Sequence, residues 1–103
     1  MSDEEAIRVK ENQQVIREFL IGQFKGFELT DMPNRPLSHM FTVTRSSEER
    51  YKLKVAWPQI SDSTNTPAKI KQLLVTHDVS SRMRATSQGE YFAWGNHWAK
   101  HGA

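Results

Sequence analysis

His97 and His101 stand four residues apart, one helical turn, and His77 is followed directly by Asp78. Two imidazoles one turn apart can hold a divalent cation. The pair lacks the glutamate that a zinc-hydrolase helix carries between its histidines, and no third ligand is assured. Solvated or core histidines account for the same spacing, so no metal is expected, with His97, His101 and His77 as the residues to watch.

Lysine supplies a second chemistry. Lys52 and Lys54 alternate with apolar residues, which places them on one face of a strand beside Thr42 and Thr44. With Arg45 or Arg50 nearby they can contact phosphates. A solvated sheet face uses lysine in the same way, to keep the sheet soluble. Lys69 and Lys71 fall in the first turn of a helix, where cations oppose the dipole. A phosphate held by the helix amides and these lysines would give the placement a purpose. Arg82 and Arg84, at the other end, suit the dipole and need none.

Tyr91, Phe92, Trp94 and Trp98 form a dense aromatic run. Aromatics beside cations can stack bases, though residues of this kind more often build a core or an interface. Trp98 follows Gly95-Asn96 and precedes a polar end, so it is expected to be partly exposed and to mark a partner surface.

Catalytic arrangements are poor. The chain has no cysteine, hence no thiol nucleophile, no disulfide and no thiolate zinc site. It carries no Gly-x-Ser-x-Gly elbow, phosphate-binding glycine loop or dinucleotide fingerprint. A non-enzymatic protein with no cofactor and no small-molecule substrate is the expectation.

These residues sit in a chain of 103, enough for one domain over 1–103 with a modest core. Hydrophobic residues at 37% and charged residues at 25% match ordinary globular usage and exclude a disordered composition. The N-terminus is acidic, where a secretory signal begins basic and continues apolar. Purely apolar runs such as Phe19-Leu20-Ile21 fall far short of the roughly 20 residues a membrane span needs. A cytoplasmic protein with no membrane partner is expected. The net charge of +2 is uneven: residues 67–103 hold five bases against two acids, a tilt that permits a polyanion partner.

Ser2-Asp3-Glu4-Glu5 fits a capping box, and Val9, Ile16, Phe19, Leu20 and Phe24 mark one helical face, with Val15 beside them. This predicts a helix over 3–25, stopped by Gly26. A short strand can start at 27–29, and two prolines predict a loop over 31–36. Phe41 and Val43, then Tyr51, Leu53, Val55 and Trp57, show the period of two of a hairpin, ended by Pro58. Directly opposed residues share a face, so Val43 must meet Leu53 or Tyr51. The closing turn therefore holds three or five residues, or a bulge.

Residues 61–66 are a polar loop, and Thr66-Pro67 is a helix entry, with Thr as cap and Pro in the first turn. A second helix is predicted over 67–85, through Ile70, Leu73, Leu74, His77 and Met83. Residues 90–94 are favoured as a short strand. The alternative is a helix, because Tyr91, Trp94, Trp98 and His101 also match helical steps.

The order helix, short strand, hairpin, helix resembles that of double-stranded RNA-binding domains over about 60 residues. Pro36-Leu37-Ser38-His39 before a strand, and lysines opening the second helix, carry the resemblance. It implies RNA contacts from His39, Lys69 and Lys71. The approach to the second helix is not glycine-rich, its lysines are split by Ile70, and the tail after residue 86 has no counterpart.

The expected fold is α+β: a three-stranded antiparallel meander, with a possible fourth strand from the tail. Its apolar face, made by Phe41, Val43, Leu53, Val55 and Trp57, would be covered by the helices, and the other face would be polar and basic. Two functions fit. One is an adaptor or regulatory module binding another protein, or itself as a homodimer through an open edge or aromatic patch. The other is a nucleic-acid-binding module using Lys52, Lys54, Lys69 and Lys71, with His39 and Trp98 as further contact candidates.

Overall fold

Asp3, Glu4 and Glu5 occupy the first turn of α1 (Asp3–Gln23), where carboxylates meet the positive end of the helix dipole. The computed structural model describes residues 3–34, 38–86 and 90–94, so the Ser2 cap lies outside the described residues. The buried stripe of α1 is Val9, Asn12, Ile16 and Leu20, continued by Phe24 just past its end. Gly26 follows at φ +87°, a left-handed backbone that glycine adopts without a steric penalty.

The predicted loop over 31–36 is corrected. β1 (Glu28–Asn34) runs through Met32 and Pro33 and pairs antiparallel with β2 (Ser38–Thr44) along its whole length. β1 is an outer strand, and an outer strand tolerates a residue with no N–H to donate. β3 (Arg50–Ala56) pairs antiparallel with β2, placing Phe41 opposite Leu53 and Val43 opposite Tyr51. The connection is residues 45–49, five in number, as the facing rule requires. It closes with the Arg45 amide donating to the Glu49 carbonyl at 2.9 Å and with an Arg45–Glu49 ion pair.

The strand does not extend to Trp57. Trp57-Pro58 instead opens α2 (Trp57–Ser61), where proline in the first turn lacks an N–H the helix would not use. Trp57 still packs, partly buried, against the core. Thr66 caps α3 (Pro67–Thr76), its hydroxyl accepting the Lys69 amide at 3.2 Å.

The predicted single helix over 67–85 is two helices. Asp78 takes the left-handed conformation, φ 52° and ψ 47°, and α4 (Val79–Arg84) begins after it. Helical phase explains the break. Val79 lies nine residues after Ile70, two and a half turns at 3.6 residues per turn. In one straight helix Val79 would point away from the side carrying Ile70 and Leu74. The kink re-phases the chain, and Ile70, Leu74, Val79 and Met83 all become fully buried.

The tail forms the strand β4 (Phe92–Trp94), parallel to β3, with Leu53 beside Phe92 and Val55 beside Trp94. Parallel neighbours need a crossover, and α2, α3 and α4 supply it. The protein is therefore α+β, a four-stranded mixed sheet in the order β1-β2-β3-β4 with helices packed on it. One cluster joins Phe41, Val43, Leu53, Val55, Phe92 and Trp94 of the sheet to buried residues of all four helices. Phe92 and Trp94 thus belong to the core. No helix among the described residues is long and apolar enough to cross a membrane.

Candidate binding face

Because side chains alternate along a strand, burying Phe41, Val43, Leu53 and Val55 sends their neighbours to the other side. The register arranges those neighbours in rows. Glu28 lies beside Thr44 and Arg50; Thr30 beside Thr42 and Lys52; Met32 beside Met40, Lys54 and Ala93. The helices place their buried residues in the core on the opposite side, so among the described residues this face of the sheet has no helical layer. Met32 is 64% exposed, and Met40, Thr42, Lys52, Lys54 and Ala93 are half-buried among one another.

Two stripes run along the strands. β3 contributes the cations Arg50, Lys52 and Lys54, while β1 and β2 contribute mainly hydroxyls and thioethers. The strand neighbours of Lys52 and Lys54 are Thr42, Met40 and Ala93, with no carboxylate among them. Among the described residues neither lysine has an ion-pair partner. The Lys54 ammonium lies 5.3 Å from the centre of the Tyr91 ring, a cation–π contact at the β4 margin.

The lysines expected to act together do not converge. Lys69 and Lys71 are exposed on α3, in the helical layer, with the sheet between them and the Lys52–Lys54 stripe. The start of α3 also has an acid at hand. The Asp62 carboxyl is held below the usual range by the Thr64 amide and hydroxyl, and further by the charges of Arg8 and Lys69.

His39, a contact candidate from the sequence, is buried, 5% exposed. It sits inside β2, and its ring packs against Phe41 at 4.9 Å between centroids. Its Nε2 lies 2.7 Å from Asp31 Oδ2, and the Gln13 side-chain amide approaches its Nδ1 at 3.5 Å. Arg17 donates to the same carboxylate through Nε at 2.9 Å and Nη2 at 2.8 Å. The Arg17 hydrogen bonds and, behind them, that of His39 outweigh burial and lower the Asp31 pKa; the same pairing raises that of Arg17. This cluster ties α1 to the β1–β2 pair. Sequence reasoning missed it because Asp31 stood in an expected loop.

A second missed cluster is amide-based. Asn12, fully buried, donates from Nδ2 to the carbonyls of Ile60 at 3.0 Å and Asn65 at 2.8 Å. Asn65 in turn donates to the Gln59 carbonyl at 2.8 Å. Asn12 occupied a gap in the helical apolar face, and that gap was the available signal.

Of the histidines considered for metal, His77 is half-buried and accepts the Trp94 indole N–H on Nδ1 at 3.4 Å. Burial, then the nearby Arg82 charge, push its pKa below the usual imidazole value. His97, His101 and Trp98 lie outside the described residues. Among the described residues no group of three or more His, Asp or Glu side chains is placed to hold a metal ion.

No family model, curated protein or solved structure matches the chain.

Proposed function

We propose that this is a non-enzymatic, cytoplasmic binding module that engages a protein partner through the helix-free face of its sheet. The observation that carries the reading is the pair Lys52 and Lys54, half-buried on that face with no carboxylate among their strand partners. A cation flanked by neutral side chains gains most from a carboxylate brought by a partner. The exposed thioether of Met32 and the half-buried one of Met40 add a surface that adapts to apolar side chains. Pro33 blunts the β1 edge against strand pairing between copies, so a homodimer is the lesser case.

The reading is tested with a photo-crosslinking residue placed at Thr42, and in a separate variant at Lys71, in cells. Protein adducts from Thr42 and not from Lys71 are expected. Adducts from Lys71 alone, or from neither site, would overturn it.

A nucleic-acid partner is the second reading, favoured by the cation stripe on β3. It requires binding of a generic single strand or duplex that weakens steeply with salt, and no binding at low salt would dismiss it.

A further inference from the structure

We infer that the partner element seated on the helix-free face is an acidic amphipathic α-helix of about 15 residues. This rests on the reading of that face as the binding surface. Its length follows from the strands: seven residues of β2 or β3 span about 23 Å at ~3.3 Å each. A helix rising 1.5 Å per residue crosses that distance in about 15 residues.

Width gives the second constraint. Strands lie about 4.8 Å apart, and a helix with its side chains is about 10 Å across. A helix lying over β2 therefore rests on Met40 and Thr42, with one flank above β1 and the other above β3. The β3 flank meets Lys52 and Lys54, which are two residues apart along a strand, about 6.6 Å. Acids at i and i+4 of a helix are separated by a rise of about 6 Å, close to the same spacing. The β1 flank meets Thr30, Met32 and the carboxylate of Glu28, which disfavours acids there. The helix thus has an apolar stripe toward Met32 and Met40 and paired acids on one flank only.

Two other occupants fit less well. A single strand of nucleic acid needs aromatic platforms for its bases; here the Tyr91 ring already faces the Lys54 ammonium, and thioethers offer no π-face. The chain's own residues 95–103 carry Lys100 and two histidines but no acid, so they do not complement the lysines.

The test uses the full chain, isotope-labelled, with four probes. They are a helix-stabilised 15-residue peptide with a leucine stripe and Glu pairs at i, i+4 on one flank, the same peptide with Glu replaced by Lys, a scrambled peptide of the first composition, and a single-stranded oligonucleotide. The expected result is that the Glu peptide alone shifts the signals of Met40, Thr42, Lys52 and Lys54. Lys52→Glu with Lys54→Glu should weaken it by at least about tenfold. Lys52→Gln with Lys54→Gln serves if the reversed pair does not fold. Equal binding of the scrambled or Lys peptide, or shifts confined to α3, would overturn the inference. An oligonucleotide that shifts these residues while the Glu peptide does not would overturn the helix and leave the face as a binding surface. No probe moving any residue of the face would remove both.

Discussion

His39 and Asp31 are diagonal neighbours across the β1–β2 pair, and their side chains meet at 2.7 Å on the side of the sheet facing α1. The contact makes Asp31 the joint of a three-part bond, with β2 supplying the histidine and α1 supplying Arg17. It fastens the long helix, which also packs against α2 and α3, to the β1–β2 side of the sheet.

Asp31→Asn should therefore cost about 2 kcal/mol in urea unfolding, the scale of hydrogen bonds to a charged group. The loss should depend on pH. The Asp31 pKa is lowered on folding, so its contribution is full above the ordinary carboxylate value of 3.8 and disappears as pH falls through the folded value. The stability gap between wild type and Asp31→Asn should narrow between pH 5 and 2 (about the range in which carboxylates protonate). A gap that stays constant would show that the ionised pair contributes nothing.

Asp78 tests the kink between α3 and α4. Its φ of 52° suits glycine and is tolerated by aspartate, but it strains a β-branched side chain. Asp78→Val should lose about 1–2 kcal/mol, whereas Asp78→Gly should stay near wild type, both read from thermal or urea midpoints. Equal loss in both variants would point to the Asp78 carboxylate rather than the backbone.

His77 predicts a pH effect near neutrality. Its folded pKa lies below the ordinary 6.5, so the unfolded chain takes up a proton first as pH falls. Stability should be unaffected by His77 above that value, begin to fall as pH drops through it, and level off below the folded pKa. His77→Gln should lack this component while keeping an acceptor for the Trp94 indole. Urea midpoints of the two proteins across pH 7.5 to 5 (about one unit or more on either side of a free imidazole) supply the comparison, and parallel curves would refute the assignment.

Asn12→Ala should be among the most damaging single changes in α1, about 2–3 kcal/mol, because it leaves two buried carbonyl partners unsatisfied. Asn12→Leu should not restore stability, since shape alone does not supply the donor. Denaturant unfolding of both variants decides whether the amide or the volume matters.

Much of the architecture was legible in the chain. The stripe through Val9, Ile16 and Leu20 announced α1, and the odd-length turn followed from placing Val43 and Leu53 on one face. The alternation that buried Leu53 and Val55 also sent Lys52 and Lys54 outward together, so the cation stripe of β3 was legible in the chain itself. Thr66-Pro67 marked the start of α3 for a purely local reason, a hydroxyl cap and a proline that needs no donor.

Local pattern by itself determined what adjacent residues impose on one another: helix phase, strand alternation, caps and turn parity. Only the tertiary structure decided whatever depended on elements distant in the chain. Pro33 could remain in a strand because β1 ended up at the edge of the sheet. The helix over 67–85 had to break because the sheet offered one core, and a straight helix cannot aim Ile70 and Val79 at it together. His39 changed from a surface candidate to a buried partner of Asp31 because α1 packs over it. Lys69 and Lys71 parted from Lys52 and Lys54 because a sheet has two sides, and burying the apolar side of each strand fixes which side every lysine occupies.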